Sequence, residues 1–258
     1  MVQDADTTIW LFGTIHVLPA NVDWRGPAID AAIARADMLV TEVPPAQLRE
    51  GAAIFTAHIL ANGLPPALTR VAPSRRAALL RALDATDMTL AEADRMKSWA
   101  IATTIGSGEA RLHNADRAHG VEAMLARAFR GRPQAGLESL DGQLALFDRI
   151  PEIEQRAMLT SAIDALDNPK QGYGATLRDW ARGDLTHVAA SFNGQFDGQP
   201  AVRRVLITDR NRRWTAWIAQ RMAAPGRVFV AVGAGHLAGP QSVIALLAAR
   251  GLKVRRVQ

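Results

Sequence analysis

Two short apolar runs near opposite ends of the chain end in the same pattern, Gly-x-x-His. The first is Ile9 to His16, IWLFGTIH, and the second is Val228 to His236, VFVAVGAGH. Short runs rich in β-branched and aromatic residues are typical of buried strands. In an open α/β sheet, ligands bind at the carboxyl ends of parallel strands. If these two strands are parallel neighbours, both imidazoles lie at one edge of the sheet.

The first part of the chain has the pattern of a strand, a helix and a second strand. After the first apolar run, a helical pattern extends from Arg25 to Asp37, and the next apolar run is Met38 to Val43. This is the length of one right-handed βαβ crossover, in which the two strands are parallel. We therefore predict that His16 and Glu42 lie at the same edge of the sheet.

The middle of the chain, from about residue 46 to residue 201, is helical in pattern. Its apolar residues recur mainly at spacings of three and four, and proline and glycine separate the segments. Two stretches, Gly120 to Glu122 and Gln134 to Glu138, fit either short strands or helix caps. We predict that this block is a helical insertion that covers the strand ends.

The C-terminal part predicts a second βαβ unit. One long helix is expected from Val202 to Ala223, before the second Gly-x-x-His strand. A helix from Pro240 to Arg250, begun by proline and ended by Gly251, and a last strand from Leu252 to Val257 follow.

The predicted fold is a single α/β domain over residues 1–258. Its mixed, largely parallel central sheet is built from the N- and C-terminal βαβ units, about residues 1–45 and 202–258. The length of 258 residues permits one sizeable core, and 48% apolar with 21% charged residues is an ordinary globular composition.

Composition excludes several classes of site. The chain has no cysteine, so disulfides, thiolate nucleophiles and iron–sulfur ligation are excluded, and any metal must be held by His, Asp or Glu. The net charge of +5 comes mostly from scattered arginines rather than from a basic stripe with aromatics, so no nucleic-acid partner is expected. No apolar run is long enough for a membrane span, and the protein is not expected to be integral to a membrane.

The strongest candidate site residues are His16, His236 and Glu42. Two histidines and a carboxylate can hold a divalent metal and leave positions open for water and substrate. Neutral imidazole is also a general acid or base near neutral pH, so the residues alone do not separate the two roles.

Glu138 and Arg210 are the next candidates. Glu138 precedes a helix in AGLESLDGQ, where it fits either a helix N-terminus or a general base. Arg210 lies inside a helix, where it fits either an ordinary ion pair or a group that stabilises an oxyanion. The remaining histidines are interpreted as structural or solvated: His58, His113, His119 and His187.

Common motifs of other enzymes are missing from the sequence. It has no Gly-x-Ser-x-Gly elbow, no Walker loop and no His-Glu-x-x-His. The glycine-rich VGAGHLAGP lacks the spacing of a dinucleotide-binding loop.

With these residues in view, the sequence resembles the TraB/GumN family, which is similar in pattern to the animal Tiki proteins. The resemblance rests on LFGTIHVLP, LVTEV, AGLES with Gln143 downstream, the DRN of the long helix, and VGAGHLAGP. For the Tiki branch it implies a metal-dependent peptidase that uses manganese or cobalt. Zinc is also possible here. Those roles map onto His16, His236 and Glu42, with Glu138 and Arg210 as pocket positions.

The leading expectation is therefore a metal-dependent hydrolase of a peptide or another amide or ester. Arg210 would stabilise transition-state charge, and Glu138 would orient groups or exchange protons. The resemblance extends to erythromycin esterase and ChaN-like proteins, which leaves two alternatives: a metal-independent esterase with a His/Glu pair that activates water, and a binding protein for a peptide, haem or metal.

Many bacterial members look exported, so we expect a periplasmic or secreted protein whose leader has been removed, with a cytoplasmic location as the alternative. Nothing in the sequence indicates an oligomeric state.

Overall fold

The computed structural model describes residues 1–167, 172–194, 196 and 198–257. Its strands are β1 (Val2–Gln3), β2 (Thr7–Thr14), β3 (Leu18–Pro19), β4 (Met38–Thr41), β5 (Ala115–Asp116), β6 (Gln134–Gly136) and β7 (Gly226–Gly233). The α-helices are α1 (Pro27–Arg35), α2 (Pro45–Glu50), α3 (Ala52–Ile59), α4 (Arg76–Asp84), α5 (Leu90–Arg95), α6 (Ser98–Leu112), α7 (Val121–Ala128), α8 (Leu140–Asp148), α9 (Glu152–Asp167), α10 (Tyr173–Ala181), α11 (Leu185–Gly194), α12 (Pro200–Arg203), α13 (Asp209–Arg221) and α14 (Val243–Ala249). Short 3₁₀ turns cover Ala67–Thr69, Pro73–Arg75, Arg117–His119 and Ala234–Leu237, and Arg204–Thr208 is π-helical.

The central sheet brings the two motif strands together. Within the described residues it has five strands in the order β1-β2-β7-β4-β6. β2 pairs with β7 in parallel, and β4 pairs in parallel with both β7 and β6, whereas β1 is antiparallel to β2. Thr14 lies opposite Gly233, so the motif strands end side by side. The predicted mixed, largely parallel α/β fold is confirmed.

Helices cover both faces of the sheet. On one face Phe229 packs with residues of α1 and α7, and on the other Val230 packs with residues of α13 and α14. A parallel strand buried on both faces needs apolar side chains at every position, which explains the continuous run from Val228 to Val232. The insertion has a further core among its helices, centred on residues such as Leu79, Trp99 and Leu159.

The structure corrects the predicted ends of the sheet. β6, from within the predicted insertion, pairs with β4 and so adds a strand to the central sheet. The predicted strand Leu252 to Val257 is wrong: this segment makes an isolated antiparallel bridge between Val254 and Val2. Since β1 already pairs with β2 at this end of the sheet, the tail lies beside β1 and does not complete a second βαβ unit.

The predicted long helix is continuous but changes from α-helical to π-helical and back to α-helical. α12 leads directly into the π-helical segment Arg204–Thr208 and then into α13. π-Helical turns inside α-helices occur often at functional sites. The π-helical turn directly precedes α13, which carries Arg210. The start of α13 is therefore a candidate part of a functional site.

Candidate active site

The glycines of both motifs allow neighbouring groups to lie close to the backbone at the ends of β2 and β7. A Cβ on Gly13 would lie 3.0 Å from the Cα of Ala234. The backbone N–H of Gly233 donates to Oε1 of Glu42 at 2.8 Å. A Cβ on Gly233 would lie 3.2 Å from the same Oε1, so both positions leave little room for a side chain.

His16 is held from α7. Its Nδ1 lies 2.7 Å from Oε1 of Glu122, which also accepts a hydrogen bond from the hydroxyl of Thr14. The N–H of Val121, the first residue of α7, donates to the carbonyl of Ile15 and fixes the helix against this turn. The side chain of His16 remains 60% exposed, and it faces a cavity.

The His16–Glu122 pair is ionised near neutral pH. The charge of Glu122 raises the pKa of His16 to about 9, and partial desolvation of the ring is a smaller opposing effect. Burial acts to raise the pKa of Glu122, but the charge of His16 and its hydrogen bond bring it below the ordinary value.

His236 is buried and neutral. Its Nδ1 lies 2.6 Å from Oδ1 of Asn211, whose Nδ2 donates to the carbonyl of Gln241. This amide orientation makes Oδ1 the acceptor, so the imidazole proton is on Nδ1, and Nε2 accepts from Nη1 of Arg210 at 3.2 Å. Burial lowers the pKa of His236 to about 3, and its ring lies 4.5 Å from that of Trp214.

Arg210 uses all of its N–H donors. Nε donates to Glu138 at 2.9 Å, and Nη2 donates to both Glu138 and Glu42 at 2.5 Å. Nη1 donates to the carbonyl of Leu206, in the π-helical turn, and to His236. A guanidinium has five N–H groups, and all five are engaged. In this arrangement Arg210 has no N–H donor left for an oxyanion.

Glu42 is surrounded by donors and positive charge. Besides Gly233 and Arg210, it accepts from Nε2 of Gln143, which also donates to Glu138. Burial acts to raise the pKa of Glu42, but the charge of Arg210, together with His16 and the N–H of Gly233, lowers it far below its usual range. Glu42 is therefore a carboxylate.

The predicted metal ligands do not form a metal site in this arrangement. Among the described residues, no group of three or more His, Asp or Glu side chains is placed to hold a metal ion. Arg210 binds Nε2 of His236 and Oε2 of Glu42, atoms that a metal would need. The guanidinium of Arg210 is thus bound to the atoms that would hold a metal ion. As arranged, these residues do not fit the expected divalent metal.

A cleft opens beside His16. Its volume is about 860 Å³, and its walls include Glu42, Glu122, Gln143 and the residues of α2 and the C-terminal end of α7. The cleft is large enough for several residues of a peptide or for a small molecule.

Comparison with known proteins identifies the family. The TraB/PrgY/gumN family model matches residues 1–256. The chain belongs to the TraB/PrgY/gumN family. Neither the curated proteins nor the solved structures include a match to this chain. Of the residues described, no helix is both long enough and apolar enough to cross a membrane.

In this TraB/PrgY/gumN protein, the predicted site residues converge. Oε1 of Glu42, the ring of His236 and Nε2 of His16 all lie within 4 Å of the position that a Cβ on Gly233 would occupy. Glu138 and Arg210 are joined to this group by the hydrogen bonds described above.

Two residues that hold the histidines, Glu122 and Asn211, were not among the predicted site residues. No spacing rule pointed to Glu122, whereas Asn211 directly follows Arg210 in the DRN pattern. Of the other histidines, His58 and His187 pair with surface carboxylates, in agreement with a structural or solvated role.

Proposed function

We propose that this protein is a hydrolase of peptide or other amide or ester bonds, in which His16 activates a water molecule. One observation carries the proposal: Glu122 binds Nδ1 of His16, while the ring faces the cleft, and Nε2 and Oε1 of Glu42 both lie within 4 Å of the position of a Cβ on Gly233. A base held by a carboxylate at one ring nitrogen presents the other to substrate in a defined orientation.

The proposed step is a proton transfer at Nε2 of His16. Neutral His16 removes a proton from water as the oxygen attacks the carbonyl carbon. The charges of Glu122 and Glu42 stabilise the resulting imidazolium, as both raise the pKa of His16. The imidazolium then returns the proton to the leaving amine or alcohol.

Water is the proposed nucleophile because of the cleft's composition. Of the described residues that line it, none is serine or cysteine, and the hydroxyl of Thr41 donates to the carbonyl of Val43. The donors of Arg210 are all engaged, so Arg117 is the proposed stabiliser of the oxyanion. Arg117 lines the cleft, is exposed, and its charge acts on the pKa of His16.

The test is a screen of peptides and aryl esters with wild-type protein and with His16→Ala and Glu122→Gln. We expect turnover by the wild type, no turnover by His16→Ala and weak turnover by Glu122→Gln. His187→Ala is the matched control, because His187 also pairs with a carboxylate but at the surface. Full activity of His16→Ala on a substrate of the wild type would remove the proposal.

A metal-dependent hydrolase that uses manganese, cobalt or zinc is the second candidate. One observation favours it: Nδ1 of both His16 and His236 is held by a side-chain oxygen, as is usual for histidines that bind metals through Nε2. This candidate requires Arg210 to release His236 and Glu42.

Titration of chelator-treated protein with Co²⁺, followed by visible absorption, separates the two candidates. Saturable bands that disappear in both His16→Ala and His236→Ala would favour the metal site. Activity that survives exhaustive chelation, with no cobalt bands, would favour water activation by His16 alone.

A further inference from the structure

Several arginines line the cleft beside His16. Glu42 and Glu122 are the acidic residues in its described lining, and both are already bound to positive groups of the site. Five described arginines line the same cleft: Arg49, Arg117, Arg127, Arg130 and Arg132.

These arginines differ from many others in the described chain because none has a carboxylate within 4.0 Å. Arg49, Arg117 and Arg130 make no side-chain hydrogen bond to any described residue. Arg127 donates to the backbone carbonyl of Ala118, whereas Arg132 is held by the carbonyls of Ile33, Ala36 and Ala128. Elsewhere, exposed arginines do find acidic partners, for example Arg25 with Asp30, Arg75 with Asp164 and Arg227 with Asp37.

Arginines grouped without counter-charges repel one another, and the planar guanidinium suits binding of carboxylates. We propose that the cleft binds an acidic peptide, whose Asp or Glu side chains pair with Arg49, Arg127 and Arg130. This inference rests on the proposed hydrolase function for the reaction at His16, but the binding itself does not require turnover.

The position of the arginines along α7 sets where the acidic residues lie. Glu122, next to His16, is in the first turn of α7, whereas Arg127 and Arg130 are at its C-terminal end and just beyond it. With a helical rise of about 1.5 Å per residue, Arg127 lies roughly 8 Å further along the helix, and Arg130 follows beyond the helix end. An extended peptide covers about 3.3 Å per residue, so for a peptide that runs along α7 the acidic side chain that pairs with Arg127 is about two residues from the scissile bond, and the one that pairs with Arg130 is further away.

The composition of the cleft favours a peptide over a nucleic acid. None of its described lining residues is Phe, Tyr or Trp, the side chains on which unpaired bases stack. Its other walls are prolines and small or aliphatic side chains such as Pro44, Ala126 and Leu48, which accommodate an extended backbone.

The test measures binding by fluorescence anisotropy with a short fluorescein-labelled peptide of alternating Glu and Gly. The matched probe has Gln in place of Glu. The host protein is His16→Ala, so that hydrolysis does not interfere. We expect the Glu peptide to bind at least about tenfold more tightly than the Gln peptide at low salt, with the difference decreasing as salt screens the charges.

Substitutions in the cleft locate the binding. We expect Arg49→Gln and Arg130→Gln each to weaken binding of the Glu peptide about threefold, and the double variant about tenfold, without changing binding of the Gln peptide. Arg250→Gln is the matched control, because Arg250 is exposed and lies outside the lining of this cleft.

Equal binding of the Glu and Gln peptides, or unchanged binding by the double variant, would overturn this inference even if the protein hydrolyses peptides. Selective binding of the Glu peptide that depends on Arg49 and Arg130 supports it even if wild-type protein hydrolyses neither probe. Failure of the hydrolase proposal and failure of this inference are thus separate results.

Discussion

Glu122 and His16 form a hydrogen bond of 2.7 Å between Oε1 and Nδ1, although 106 positions separate them in the chain. The carboxylate comes from the first turn of α7 and the imidazole from the turn after β2. This relationship orients the one histidine of the two motifs that faces the cleft.

Loss of the Glu122 carboxylate should lower activity without loss of the fold. We expect Glu122→Gln to reduce kcat/KM about 100-fold or more, because the carboxylate fixes the orientation and tautomer of the proposed general base. Asp184→Asn is the control, since it removes the partner of the surface His187 and should leave activity unchanged. Equal losses in the two variants would contradict an orienting role for Glu122.

The rate should rise with pH as His16 loses its proton. With a pKa of about 9, His16 is mostly protonated at neutral pH, so kcat/KM of the free protein should increase up to about that pH. In Glu122→Gln the largest cause of the raised pKa is removed, and the rise should move toward lower pH. A rate profile with the same midpoint in both proteins would show that His16 is not the titrating base.

The same shift predicts a pH-dependent stability. The pKa of His16 is higher in the folded protein than its ordinary value of 6.5. The ion pair therefore stabilises the fold fully below about pH 6.5, and this contribution is lost as pH rises through about 9. The difference in Tm between wild type and Glu122→Gln should be larger at the acidic end of this range than at the alkaline end.

Removal of Arg210 should destabilise the protein strongly. Arg210→Gln leaves the buried carboxylates of Glu42 and Glu138 without their main partner, so we expect a loss of about 3–5 kcal/mol in the free energy of unfolding in urea. Arg213→Gln is the control, since Arg213 is half exposed and 3.8 Å from Glu138, and it should cost less than about 1 kcal/mol. Similar costs for both variants would contradict the buried network.

A methyl group at Gly120 should displace His16. A Cβ there would lie 2.6 Å from the carbonyl carbon of His16 and closer still to its oxygen. We expect Gly120→Ala to lower both Tm and activity because the backbone of the motif must shift. Gly106→Ala is the matched control: a Cβ on Gly106 meets nothing within 4 Å, and the change should be neutral or slightly stabilising.

Local patterns in the sequence were sufficient to predict the strands of the site and the positions of its histidines and of Glu42. Continuous apolar runs indicated buried parallel strands, and the repeated Gly-x-x-His placed His16 and His236 at their carboxyl ends. Glu42 followed from the βαβ pattern. These predictions succeeded because the spacing of apolar residues along the chain depends on which faces of a strand or helix are buried. That spacing can be seen within a few neighbouring positions of the sequence.

Only the tertiary structure decided how the side chains pair. The bond from Glu122 to His16, the complete use of the donors of Arg210, the addition of β6 to the sheet and the antiparallel bridge at Val254 all join segments distant in the chain. Such contacts depend on packing between elements, which residue spacing does not encode. The sequence by itself thus determined the strands and the histidines they carry, and the tertiary structure decided which groups orient those histidines and which are already bound.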